Sequence, residues 1–297
     1  MKRYSRVALI LAAAALLAAT TIAVSSTASA EGKSTLSNGE ALALGDDGQT
    51  LRIFELNDPE DDELIGKVTG LLHGETQLEA IDYNVTDGKF YGFASGNDGG
   101  EFGEVYRLNT KTGAATRVAG GEESFFSPDK HDVDFKPVGE NHLYITSTED
   151  PAGYDVTDID IPGNENPIAG GPFPVPNAGI AFTNNDKSSA TNTTMFAIDP
   201  ASRTVEIVLV PNSPECCDPF PTATTGSLGL SSVSSIVGFD ILSKVSDGKT
   251  TSNTGYASLR SSDTSEPNLY KIDLLTGKAS KVDDFDKQIA DIAVKQP

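Results

Sequence analysis

IFELN at Ile53–Asn57, VYRLN at Val105–Asn109, MFAID at Met195–Asp199 and LYKID at Leu269–Asp273 are four copies of one phrase. Each runs apolar, aromatic, any residue, apolar, then Asp or Asn. The alternation has period two, which reads as a β-strand. In Val105-Tyr106-Arg107-Leu108, Val105 and Arg107 face one way and Tyr106 and Leu108 the other. Turn chemistry follows in NTKTG (Asn109–Gly113) and DLLTG (Asp273–Gly277). The Asx side chain can bond backbone two residues on, and Gly accepts the left-handed conformation that closes a hairpin. A further strand then departs at Ala115–Val118, Val205–Val210 and Ala279–Val282, so these are outer hairpins.

A second phrase precedes them. Ile81-Asp82-Tyr83, Val133-Asp134-Phe135, Ile180-Ala181-Phe182, Phe239-Asp240-Ile241 and Ala290-Asp291-Ile292 read as short inner strands. They recur at roughly 50-residue intervals, the period of a propeller blade. KFYGF (Lys89–Phe93), HLYI (His142–Ile145) and GYASL (Gly255–Leu259) supply the next strand, giving a four-stranded unit. Tyr154-Asp155-Val156 reads as a worn copy of the outer phrase. The count is five units. The first lacks an inner strand and the last inner strand, Ile289–Val294, lacks a continuation. The spacing therefore predicts an all-β propeller of about five four-stranded blades, its ring closed by the C-terminal strand pairing with the N-terminal blade. Closure would remove free sheet edges. Two stretches, Gly163–Pro176 and Pro211–Ser235, read as irregular connections rich in Pro and Gly.

Residues 1–30 read as a secretory signal. Lys2, Arg3 and Arg6 precede an apolar run from Val7 to Val24, and Ala28-Ser29-Ala30 is a small-x-small cleavage pattern. The expectation is export, to the cell envelope or beyond, with a short tail at 31–38 and one domain at 39–297. Removing three basic residues moves the formal charge from −21 to −24. Such acidity disfavours nucleic acid and anionic membranes, whose binding rests on Lys and Arg. No stable membrane span is expected after cleavage.

The pieces LEAIDYNVTDGKFYGF, VYRLNTKTGAATRV, AGIAFTNND with TTMFAID, IVGFDI, GYASL and NLYKIDLLTGKASKV together resemble a family of secreted bacterial domains, domain of unknown function 4394. The resemblance runs from about Gly39 to Val294, and AFTNN (Ala181–Asn185) is its most particular piece. It implies a propeller-like fold and an exported location. It supplies no catalytic residue, and Glu215-Cys216-Cys217 stands apart from its pattern.

Catalytic signatures such as G-x-S-x-G, H-E-x-x-H, the P-loop and a full EF-hand loop do not occur. His73, His131 and His142 fall in separate contexts, with His131 and His142 at opposite ends of a strand pair, which argues against a shared metal. Asp82, Asp134, Asp240 and Asp291 occupy equivalent places in four of the five units. Two readings follow. Converging carboxylates could hold a hard cation such as calcium. Alternatively, each could accept backbone N–H bonds from the neighbouring blade, and a repeated residue favours that repeated structural need. Cys216-Cys217 could form a vicinal disulfide in an oxidising compartment, giving a rigid ligand-facing loop or a redox element; the alternatives are loop stiffening only, or two free thiols. The acidic run Asp58–Glu63 reads as a solvated hairpin tip, and Asn84 and Asn192 begin sequons.

The favoured function is a non-catalytic binding or interaction module for a protein or small-molecule ligand, with no required cofactor. The alternatives are a metal-assisted hydrolase or lyase at the channel mouth, using the repeated aspartates, and an extracellular scaffold.

Overall fold

The computed structural model describes residues 36–72, 77–95, 103–121, 131–138, 141–147, 153–158, 169–176, 179–210, 220–234, 237–261 and 266–297. The signal segment, His73, Cys216 and Cys217 lie outside them, as does the side chain of His131. All regular structure among the described residues is β, arranged as propeller-like, four-stranded antiparallel sheets.

The first sheet runs β20 (Ile289–Val294), β1 (Glu40–Gly45), β2 (Thr50–Glu55), β3 (Asp58–Lys67). The second runs β4 (Ala80–Asn84), β5 (Lys89–Ser95), β6 (Gly103–Leu108), β7 (Ala115–Gly121). The third runs β8 (His131–Phe135), β9 (His142–Ser147), β10 (Gly153–Asp158), β11 (Ala169–Pro172). The fourth runs β12 (Gly179–Phe182), β13 (Met195–Asp199), β14 (Thr204–Val208), β15 (Thr222–Ser227). The fifth runs β16 (Val237–Ser246), β17 (Lys249–Leu259), β18 (Asn268–Ile272), β19 (Ala279–Asp284). The last strand of the chain, β20, pairs antiparallel with β1, Leu42 opposite Ala293 and Ala43 opposite Ile292.

The core is distributed between sheets, because strand alternation sends successive side chains to opposite faces. On β2, Ile53 joins Ile81, Tyr83 and Phe90 of the second sheet, whereas Phe54 joins Tyr256 and Leu269 of the fifth. Aromatic pairs cross several of these seams. Phe54 meets Phe285, Tyr91 meets Phe135 and Tyr144 meets Phe182, each with ring centroids 5.1 Å apart in edge-on geometry. Such edge-on contacts add about 0.5–1.5 kcal/mol beyond the area they bury.

The turn chemistry reads through to the backbone. Gly113 and Gly277 both sit at φ 72°, and a Cβ on Gly113 would come within 2.5 Å of the Lys67 carbonyl. Asn109 and Asp273 accept bonds from the amides of Lys111 and Leu275, two residues on.

Three sequence expectations need correction. MFAID is the second strand of its sheet rather than the third. The shift is made good by β15, which falls within the stretch read as a loop. Its sequence TATTGS has no apolar alternation because it is a largely exposed outer strand with no core face to fill. β11 likewise lies inside the second supposed irregular connection. The acidic run at Asp58–Glu63 begins β3 rather than capping a hairpin tip, with Asp62 paired to Arg52. Charge on an outermost strand discourages edge-to-edge pairing with another chain.

Candidate functional site

The inner strands β4, β8, β12, β16 and β20 put one residue type after another onto a single face. At alternate positions this face carries Ala80 and Asp82, Asp132 and Asp134, Gly179 and Ala181, Gly238 and Asp240, Asp291 and Ala293. Those ten positions hold only Asp, Ala and Gly. The small residues admit close approach of the next strand: a Cβ on Gly238 would lie 2.7 Å from the Cα of Asp291.

Each carboxylate reaches forward to the next sheet. Asp291 accepts from the Ile81 amide at 2.7 Å, and Asp82 accepts from the Phe135 amide at 2.7 Å. Asp132 accepts from Ile180, Asp134 from Phe182, and Asp240 from Val294. The carboxylates of Asp82, Asp132, Asp240 and Asp291 also take the amide of the residue that follows them. One side chain thus bridges the backbones of two sheets, satisfying donors that have no ladder partner at a sheet's inner edge.

The seam between the fourth and fifth sheets has Ala181 where the others carry Asp. Asn185, just beyond β12, spans it instead. Its Nδ2 donates to the carbonyls of Phe182 and Ile241, and its own amide donates to the Ser243 hydroxyl. Asn184 adopts φ 59° and exchanges bonds with Asn253 in both directions. Asp186 completes the junction by accepting from the amide and the hydroxyl of Thr250. AFTNND is therefore a junction between sheets, which accounts for its standing out in the sequence.

Of the sequence-predicted residues, Asp82, Asp134 and Asp240 converge, one oxygen from each lying within 4.8 Å of the others. Asp291 lies outside this trio. Its charge is the leading one on Asp132, which lies one alternation from Asp134, while the charge acting on Asp291 itself is that of Asp240. Sequence reasoning missed Asp132, although the i, i+2 spacing from Asp134 placed it on the same face. His142 lies at the far end of the β8–β9 pair from His131 by register. Asn84 is buried and bonded to Asn141, so its sequon is closed to an acceptor role in the folded chain.

All five aspartates are between 2% and 4% exposed. Burial raises their pKa values: to about 7 for Asp240, about 8 for Asp291, and well above the ordinary range for Asp82, Asp132 and Asp134. After burial, the charge of Asp240 is the next force on Asp82, and that of Asp82 the next on Asp134. Calcium takes roughly six to eight oxygens. Three carboxylates that already accept amide bonds, and whose surroundings favour protons, fit that demand poorly.

Fold and seams together define a propeller-like protein whose inner strands are tied by carboxylates. The model of the family described as Domain of unknown function (DUF4394) matches residues 50–293, and the chain belongs to that family. No curated protein matches it. Among solved structures, it is similar to a protein of unknown function from Bacteroides caccae at 9% identity and TM-score 0.40, covering 86% of this chain and 98% of that one. An engineered GH43 glycoside hydrolase gives 9% identity and TM-score 0.46 over 82% of this chain and 50% of the hydrolase. TolB from Acinetobacter baumannii gives 9% and 0.41, over 87% and 66%.

Proposed function

We infer that the chain is an exported, non-catalytic binding module. Its five sheets act as five blades of one ring, which β20 closes against β1, and its axial carboxylates hold that ring together. The observation that carries this reading is the repeated bridge from each buried aspartate to the amide of the next sheet. A side chain repeated around a ring and spent on backbone donors serves the ring. Export rests on the basic, apolar and small-residue succession of the first thirty residues. Propellers present ligands at exposed loops and seams, where symmetry is broken, and the fourth–fifth seam is such a place.

The test is thermal unfolding at pH 8 with and without millimolar calcium, on the wild type, Asp82→Asn and Asp240→Asn. The reading expects lower melting temperatures in both variants and no calcium-dependent rise in the wild type. A rise that both substitutions abolish would instead make the axis an ion site and favour a metal-assisted hydrolase or lyase. Ring closure is tested separately by ending the chain at Gln288. The reading expects loss of cooperative unfolding, and a truncated chain that melts like the full one would end it.

A further inference from the structure

Neighbouring inner strands run in one direction. Asp132 reaches the Ile180 amide and Asp134 the Phe182 amide, a step of two residues in the same sense on β8 and β12. The segments that leave the inner strands therefore gather on one side, and their charge runs against the rest of the molecule. In a chain of formal charge −21, residues 84–89, 136–141, 183–194, 243–249 and 295–297 hold six lysines against four acids.

Three of these lysines, from three sheets, converge on Tyr83. Lys295 follows β20, and its Nζ donates to the Tyr83 hydroxyl of the second sheet at 2.8 Å while standing 4.5 Å from the centre of that ring. Its other partner is the Gln296 carbonyl. The charges of Lys187, beyond β12 of the fourth sheet, and of Lys89, the first residue of β5, both act on the same hydroxyl. Lys187 thus reaches toward the second sheet across the ends of the inner strands. None of the three makes an ion pair among the described residues. Lys295 is half-buried, and burial pulls its pKa below the ordinary lysine range, with only neutral partners to oppose the shift. Asp87 is the one acid among the described residues whose charge acts on the Tyr83 hydroxyl, and its own oxygens already accept from the Lys89 amide and the Tyr91 hydroxyl. Asp186 is occupied by Thr250 and Ser188, and Glu140 lies outside the described residues. The axial aspartates favour protons, and beyond them Gln296 commits its carboxamide to the Ser243 amide and the Ile241 carbonyl.

We propose that this end of the inner strands binds a small multivalent oxyanion, its charge shared among Lys295, Lys187 and Lys89. The proposal rests on the binding-module reading and names the class of ligand. Three ammonium groups gathered from separate segments call for more than one negative charge, and carboxylate or phosphate oxygens accept strong charge-assisted bonds from each. Tyr83, 8% exposed, anchors Lys295 rather than meeting the ligand, while Lys187 and Lys89 are exposed and reachable from solvent.

Titration calorimetry on the mature chain in metal-free buffer uses citrate and pyrophosphate as probes, with acetate and inorganic phosphate as single-group controls. Saturable binding of citrate or pyrophosphate is expected, tighter than that of its control, and the tighter of the two tells a carboxylate ligand from a phosphate one. Lys187→Gln with Lys89→Gln should weaken it about tenfold or more, the size of one lost charge-assisted bond. Both lysines are exposed, so this double variant should keep the wild-type melting temperature, which guards against a folding defect. Lys295→Gln should weaken binding at least as far. Lys67→Gln with Lys281→Gln, on the outermost strands β3 and β19, removes the same charge elsewhere and should bind as wild type does. Absence of saturable binding by both probes, or equal weakening in the two double variants, overturns the assignment. Binding that all these variants leave unchanged would retain the binding module and overturn this site. Release of phosphate from pyrophosphate, lost in Lys187→Gln with Lys89→Gln, would keep the site and overturn the non-catalytic reading.

Discussion

Aspartates on the inner strands bridge four of the seams between sheets, whereas at the fourth–fifth seam the inner-strand position is Ala181 and the Asn185 carboxamide bridges instead; the exchange follows from what the next strand presents. At the aspartate seams the neighbouring inner strand offers an N–H, from Ile81, Phe135, Ile180 or Val294, and the tie must accept. At the fourth–fifth seam the tie donates: Asn185 gives a bond to the Ile241 carbonyl, which Gln296 also reaches from beyond β20, and a second to the Phe182 carbonyl. A propeller therefore does not need the same residue at every seam; it needs the complementary hydrogen-bonding role. The price of using Asp is a set of buried acids that hold their protons, while the Asn seam carries no such load.

The largest effect expected from breaking this comparison is at Asp240. Asp240→Ala strands the buried amides of Ile241 and Val294. At about 1–3 kcal/mol for each orphaned donor, the cost is about 2–6 kcal/mol. That corresponds to roughly 4–24 °C in melting temperature for a domain of this size. Asp240→Asn keeps one acceptor and should lose less than half as much. Equal melting of wild type and Asp240→Ala would remove the carboxylate tie from the account.

The pH dependence comes next. The folded chain keeps protons on Asp240 and Asp291 that an unfolded chain releases near pH 3.8. The folded state binds more protons in that window, so its stability is greatest at the acid end and falls as pH rises through about 7 and about 8. Urea midpoints measured between pH 4 and 9 should decline across this range. Asp240→Asn should flatten the decline, and Asn185→Ala should leave its slope unchanged. A midpoint that rises toward pH 8 would contradict the protonated axis.

At the other seam, Asn185→Ala removes the side-chain donor of the Phe182 carbonyl and one of the two on the Ile241 carbonyl, which keeps Gln296, at a cost of about 1 kcal/mol. Asn185→Asp is the sharper variant, because it sets a carboxylate against the Ile241 carbonyl. It should unfold at lower urea than Asn185→Ala at pH 8. The reverse order would show that the role of the tie, donor or acceptor, is not what decides the residue.

Much of this was legible in the sequence. The phrase at Ile53, Val105 and Leu269 gave its strands and turns because apolar alternation and Asx–Gly chemistry are local. The inner strands were legible for the same reason, and so was the use of aspartates on neighbouring amides, since a repeated residue answers a repeated need. What could not be read was non-local. β15 escaped because an exposed outer strand has no hydrophobic period to betray it, and its omission left MFAID one place out in its sheet. Asp291 and Asp82 look equivalent in a five-residue window, yet the sheets meet with an offset of one alternation. That offset pairs Asp291 with Asp132, and no short motif records it.

The smallest effect tests the junction at Asp186. Asp186 accepts from the amide and hydroxyl of Thr250 at 2.8 Å each. Burial pushes its pKa up, but those bonds and the Ser188 amide outweigh it and leave the value below the ordinary range. Its sign is thus opposite to that of the axial aspartates. The contribution is present above the unfolded pKa and lost as pH falls through the folded one. Thr250→Val deletes one of the two bonds and keeps the β-branched shape of the strand, at a cost of about 1 kcal/mol near neutrality. That cost should shrink in acid, where Asp186 is protonated, while any defect at Asp240 grows relative to it. Urea midpoints of Thr250→Val and wild type that converge toward acid pH would place the two kinds of seam on opposite sides of the same titration. Midpoints that stay a constant distance apart would mean that the Thr250 hydroxyl acts through packing and not through the carboxylate.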